Sequence, residues 1–160
     1  MMTDLWIHPA VVLLLGAVIL PCLPRAWRKI FMVLVPLLAF ASVVRMQGHE
    51  GVFGAVRIMD ATMIFGRVDA LSMVFAYIMS LMCVIGTVYG LHVENPVEQS
   101  VAWTYVAGLP GVIFCGDYLT LFLFWELMAF SSVFLIWFRR RKESLGIGYR
   151  YLLVHTAGGL

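Results

Sequence analysis

Charge is what this sequence has least of. Acids and bases together make up 12% of its 160 residues, nine Asp or Glu against eleven Lys or Arg, where a soluble domain carries about a quarter. The formal net charge of +2 sits in short links between apolar blocks, which excludes a nucleic-acid-binding face. Cysteine is scarce as well. Cys22, Cys83 and Cys115 lie singly inside or at the ends of apolar segments, excluding a disulfide framework or a zinc site and leaving small packing residues. No glycine-rich phosphate loop or nucleophile triad occurs. Nothing suits flavin, quinone, iron–sulfur or nicotinamide chemistry, so neither a cofactor nor a metal is expected. The ten methionines do not group into a metal box. A basic leader is missing too: Asp4, and no Lys or Arg, precedes the first apolar run, so a secretory signal peptide is not expected.

What is present is hydrocarbon. Hydrophobic residues reach 62% and the mean hydropathy is +0.96, and the apolar residues fall in blocks near the roughly 20 residues that span a bilayer. The expected fold is all-α, a polytopic transmembrane helical bundle with five complete spans and the start of a sixth. The first block, Pro9 to Leu23, is extended by Leu5, Trp6 and Ile7, with Trp6 and His8 in the membrane interface. The turn PRAWRK leads to a second block from Ile30 to about Val44, in which Pro36 predicts a kink. Residues 45–67 hold four glycines and no sustained span, and read as an extramembrane hairpin or interfacial segment. They close a first unit, residues 1–67. The second unit, 68–160, opens with a full span from Val68 to Leu91, its N-terminus capped by Asp69 and Ser72. A fourth block, Val101 to about Cys115, carries a break or kink at LPG 109–111. The fifth runs from Tyr118 to Phe138 after a Gly116-Asp117 turn, and the last stretch, LGIGYRYLLVHTAGGL, begins a sixth helix.

Orientation follows from loop cations. With alternating crossings, PRAWRK and the RRRK run at 139–142 share one side, and the positive-inside rule makes it cytoplasmic. The N-terminus, the 45–67 segment and the Gly116-Asp117 turn then lie outside. RRRK is a topology anchor, with contact to anionic lipid headgroups as an addition. The expected location is the inner, cytoplasmic membrane.

One residue sits badly in this scheme. Glu126 lies eight residues past Tyr118, about 12 Å down the fifth helix, where a charged side chain costs about 2.5–3.5 kcal/mol. A carboxyl group persists there only if paired, hydrated or neutral. Intramembrane carboxylates mark ion pathways, so Glu126 reads as a group that gains and loses a proton; the alternative is a structural Glu bonded to a neighbouring helix. Phe122, Phe130 and Val133 share its stripe and offer no partner, so any partner comes from another helix. His155, about nine residues into the sixth helix, either passes protons or packs against a carbonyl. Asp117 lies nine residues before Glu126, roughly 13 Å away, and is either a helix cap or a relay member.

The order VDALSMVFAYIMSLM, a polar link, GLPGVIFCGDYLTLFLFWELMAFSSVFLIW and YRYLLVHTAGG resembles the antiporter-like subunits shared by respiratory complex I, membrane-bound hydrogenases and multi-subunit Mrp cation/proton antiporters. The run from Gly116 to Ser132 is most similar to the D-type Mrp subunit, and the resemblance covers residues 66–160 best. It implies a fold of two inverted five-helix repeats, with Glu126 as the entry carboxylate of a proton half-channel and His155 as a neighbour in the path. It also implies a lysine on a seventh helix, which these 160 residues do not include. The expected partners are therefore membrane lipid and other membrane subunits, one of them completing the bundle. The expected function is proton translocation by cation/proton antiport within a complex, and the alternative is a non-transporting scaffold that docks other subunits.

Overall fold

Capping chemistry decides where the helices begin. The computed structural model describes residues 7–58, 61–139 and 143–159. His8 caps the first helix, α1 (Pro9–Ile19), by accepting the Ala10 amide, and Pro9 fills the first helical position, where its missing N–H goes unneeded. A 3-10 turn, Leu20–Cys22, and Pro24 separate it from α2 (Arg25–Arg45). Two strands follow, β1 (Gly51–Ile58) and β2 (Ala61–Val68), paired antiparallel with Gly51 opposite Val68 and Ala55 opposite Ile64. This is the hairpin that residues 45–67 suggested. Gly54 bends β1 with φ +61°, a conformation open to glycine. Asp69 and Ser72 then exchange side-chain-to-backbone bonds in a capping box that opens α3 (Ala70–Tyr89), as expected from those two residues. Asn95 caps α4 (Pro96–Ile113), Asp117 caps α5 (Tyr118–Phe138), and α6 runs from Ser144 to Gly159. Pro36 and Pro110 lie inside continuous helices, so of the break or kink expected at LPG 109–111 the break does not occur.

Two parts of the expected fold are corrected. The chain is not all-α, because it carries the hairpin. Nor does it hold five complete spans. Among the described residues three helices are long and apolar enough to cross a membrane: Arg25–Arg45, Ala70–His92 and Tyr118–Phe138. The physical reasons are local. α1 has 11 residues, about 16 Å of rise against a core of about 30 Å. α4 spends its first turns on Glu98, Gln99 and Ser100 and later carries Thr104, Gly108, Pro110 and Gly111. An outside N-terminus was counted from five crossings, so that placement falls with the count. Leu5 and Trp6, Asp4, Asp60, and Arg140, Arg141 and Lys142 of the RRRK run lie outside the described residues.

The helices meet through small residues. Ala10, Ala17, Ala39 and Ala107 are buried with Leu13, Leu20, Met32, Val35, Cys83 and Trp103 in one cluster where α1 to α4 converge. Trp103 donates its indole N–H to Thr87 on α3 at 3.2 Å, so the largest buried side chain leaves no donor unmet. A second cluster, Val43, Met46, Val68, Ala76 and Phe114, lies beneath the hairpin. On α4, a Cβ at Gly108 would collide with Met128, and one at Gly111 with the Phe124 ring. These two glycines let α4 and α5 approach closely.

One end of the bundle is stitched together. The Gly116 amide donates to the Ile64 carbonyl at 2.9 Å, and the Arg67 amide to Phe114 at 2.6 Å. Asp117 accepts the Ile64 amide at 2.6 Å, and His8 bonds the Phe65 carbonyl at 3.1 Å. The start of α1, the hairpin and the α4–α5 turn are thus gathered on β2, whose free edge is covered.

Candidate functional site: the Glu126 face of α5

Glu126 is half-buried on α5. Its Oε1 is enclosed and finds no hydrogen-bond partner among the described residues, a condition shared with the indole Nε1 of Trp137. The two residues are eleven positions apart on one helix, about 20° around its axis and about 16 Å along it. α5 therefore carries two unmet polar atoms on one face. α6 packs beside it: Gly148 abuts the Trp137 indole, and the His155 ring meets Trp125 edge-on at 5.5 Å. The residues expected to wall Glu126 differ in setting, Val133 being buried, Phe122 half-buried and Phe130 exposed.

The structure brings His155 to the level of Glu126 on α5, held edge-on between Trp125 and Tyr151 at 5.5 Å from each ring. No hydrogen bond joins it to Glu126 among the described residues. Asp117 stands apart at the head of the helix. Its Oδ1 accepts the Thr120 amide at 2.8 Å, and its Oδ2 accepts the Thr120 hydroxyl and the Ile64 amide, each at 2.6 Å. Burial raises its proton affinity, but these bonds to the carboxylate outweigh it and hold its pKa below the usual value. It serves as helix cap and hairpin tie.

His8 makes contacts that reasoning from sequence missed. It was expected at the membrane interface, and within the protein it is buried, stacked on Phe124 and edge-on to Phe114, both at 5.9 Å. Its Nδ1 accepts the Ala10 amide at 3.0 Å, which leaves the proton on Nε2 to be donated to the Phe65 carbonyl. Burial pushes the imidazole pKa down to about 4, against the opposing pull of the Phe65 carbonyl. The His8-Pro9 pair ahead of an apolar run was the available signal, since a cap precedes a proline at the first helical position.

No protein-family model and no curated protein matches this sequence. Among solved structures, the fold is similar to that of a chain in the membrane-bound sulfane sulfur reductase (MBS), an archaeal respiratory membrane complex. The TM-score is 0.78 at 16% identity over 94% of this chain, which spans 34% of that one. At that identity the likeness establishes the fold alone.

Proposed function

We propose that this chain is a membrane subunit of a multi-subunit respiratory or antiporter-type complex, where it docks and positions neighbouring membrane subunits. The observation that carries the reading is the fold likeness, extending over 94% of the chain, to a component of an archaeal respiratory membrane complex. Bare apolar surface supports it. Leu71, Val74, Ile78, Leu81 and Ile85 are exposed at helical spacing along α3, and Leu153 and Val154 are exposed on α6. Their partners are other membrane helices at a cytoplasmic membrane. The resemblance of residues 66–160 to antiporter-like subunits, the D type included, belongs to the same reading. Extraction from native membranes in mild detergent, followed by native electrophoresis, tests it. The chain is expected to migrate and co-purify with other membrane subunits in fixed proportion. Migration as a lone 18.0 kDa protein from freshly solubilised membranes overturns it.

A second reading, proton carriage by Glu126 during cation/proton exchange, is favoured by the enclosed, unpartnered Oε1. Leaving such an atom unmet is costly. A proton on the carboxyl group lowers the cost by removing the charge, a donor brought by another helix lowers it by pairing the oxygen, and alternation between the two is what a carrier needs. His155 at the same level and Asp117 at the mouth would extend the path. Proton/cation exchange in everted vesicles holding the whole complex separates the two readings. For a carrier, Glu126→Gln abolishes exchange while the partner subunits still co-purify, and Glu126→Asp keeps a part of it. For a scaffold, Glu126→Gln exchanges at the wild-type rate.

A further inference from the structure

α2 has two faces of different character. Met32, Val35, Ala39 and Val43 turn into the core, while Ile30, Leu34, Leu37 and Leu38 are exposed. The outer face holds a shallow groove of about 740 Å³, lined by Ile30, Val33, Leu34, Leu37 and Leu38, with Lys29 at one end as its one charged residue. Arg25 precedes Lys29 by four residues and lies one turn beyond the groove, and the row Lys29, Val33, Leu37, Ala41 winds slowly along it, about 40° per step. Its first member is a cation and the rest are apolar. From Lys29 to Ala41 the row covers about 18 Å, close to the roughly 15 Å of a single leaflet's hydrocarbon.

Among the described residues the one ion pair is Arg67 with Asp69, so neither Arg25 nor Lys29 meets a carboxylate there. Pro24 gives α2 no side-chain cap, and no acid lies in its first turn, so the helix dipole adds to the positive potential there. Arg28 is turned back onto the Leu23 carbonyl at 2.8 Å and frames the turn. Trp27, 62% exposed, stands where an aromatic side chain lies at headgroup level.

We infer that this groove binds one anionic phospholipid, its phosphate between Arg25 and Lys29 and an acyl chain along Val33, Leu37 and Ala41. A zwitterionic lipid would fill the apolar row equally well and leave the cations without net compensation. A protein helix docked here would have to bring its own acids to that end. The inference is independent of the subunit reading, since a chain that failed to co-purify with partners would still present this face.

Native mass spectrometry of the delipidated full-length chain, titrated with phosphatidylglycerol or phosphatidylcholine, tests it. One phosphatidylglycerol is expected to be retained in preference to phosphatidylcholine. Removing cations by Arg25→Gln and Lys29→Gln should lower that preference about fivefold for each. Leu34→Trp, which fills the groove and leaves the cations in place, should lower occupancy by either lipid. Equal retention of the two lipids, or unchanged preference in the double Gln variant, overturns the assignment to a specific site and leaves bulk annular lipid. A photo-reactive residue at position 34 in native membranes should give a lipid-mass adduct. A protein adduct there instead shows that a subunit covers the groove, and overturns it too.

Discussion

His8 is placed by two demands that its neighbours make at once. The first turn of α1 needs an acceptor for the Ala10 amide, and the Phe65 carbonyl of β2 needs a donor. One neutral imidazole meets both, which sets the tautomer. Protonation would put a hydrogen on Nδ1 and break the cap. His8 lies ahead of α1 and outside the three spanning helices, so its titration is a matter of the stitched end. The folded pKa of about 4 is below the ordinary 6.5, so the unfolded chain takes the proton first as pH falls. Stability is therefore expected to drop between pH 6.5 and 4, by about 3 kcal/mol if the whole shift is realised, and to level off below. Thermal unfolding of wild type and His8→Phe across that range measures this. The variant keeps the ring packing, starts less stable at neutral pH and loses the slope. Asp117 shows the complementary case. A Gly-Asp pair before an apolar run allowed a cap, and Thr120 answers it, but its bond to Ile64, 53 residues away, had no local signature.

At the scale of elements, the contact between α4 and α5 depends on absent side chains. Gly108 and Gly111 leave room for Met128 and Phe124, and Phe124 in turn stacks on His8. A methyl group at position 111 cannot be absorbed by swinging the ring aside without disturbing that stack. Gly111→Ala is expected to cost about 1–3 kcal/mol, read as a lowered unfolding temperature in detergent. Gly146→Ala is the control, since a Cβ there meets nothing within 4 Å. The same elements explain the span count. Apolar blocks were visible in the sequence, but hydropathy does not say where a helix starts. α4 begins at Pro96, five residues before its apolar block, and so takes in the polar turn that lowers its hydropathy. α1 ends at Ile19 because Pro21 opens a 3-10 turn.

For the whole molecule, hydrogen bonds put the hairpin and the α4–α5 turn at one end, whatever the number of crossings. α3 and α5, both of spanning length, lead from that end to the other. Single cysteines introduced in a cysteine-free background should therefore sort into two groups under an impermeant maleimide. Val52→Cys and Tyr118→Cys, both at exposed positions, should label from one side, and Glu94→Cys, also exposed, from the opposite side. Labelling of positions 52 and 118 from different sides would contradict the stitched end. The likeness to a chain of a respiratory membrane complex belongs at this scale as well, because it concerns how the elements are arranged and not any one residue.

Sequence alone determined the solvent of this protein, the cap at Asp69 and the anomaly of Glu126, and it left Asp117 and residues 45–67 each with two readings. What it determined is a local matter of composition, spacing or the cost of a charge in hydrocarbon. The burial of His8, the tie between Asp117 and Ile64, and the close approach of α4 to α5 were decided by tertiary structure. They bring together groups far apart in the chain, and no local pattern encodes which distant carbonyl a histidine will meet. Glu126 falls between the two. Its cost was legible from its position, but only the packed helices left Oε1 enclosed and without a hydrogen-bond partner among the described residues, because enclosure depends on which helices pack beside α5.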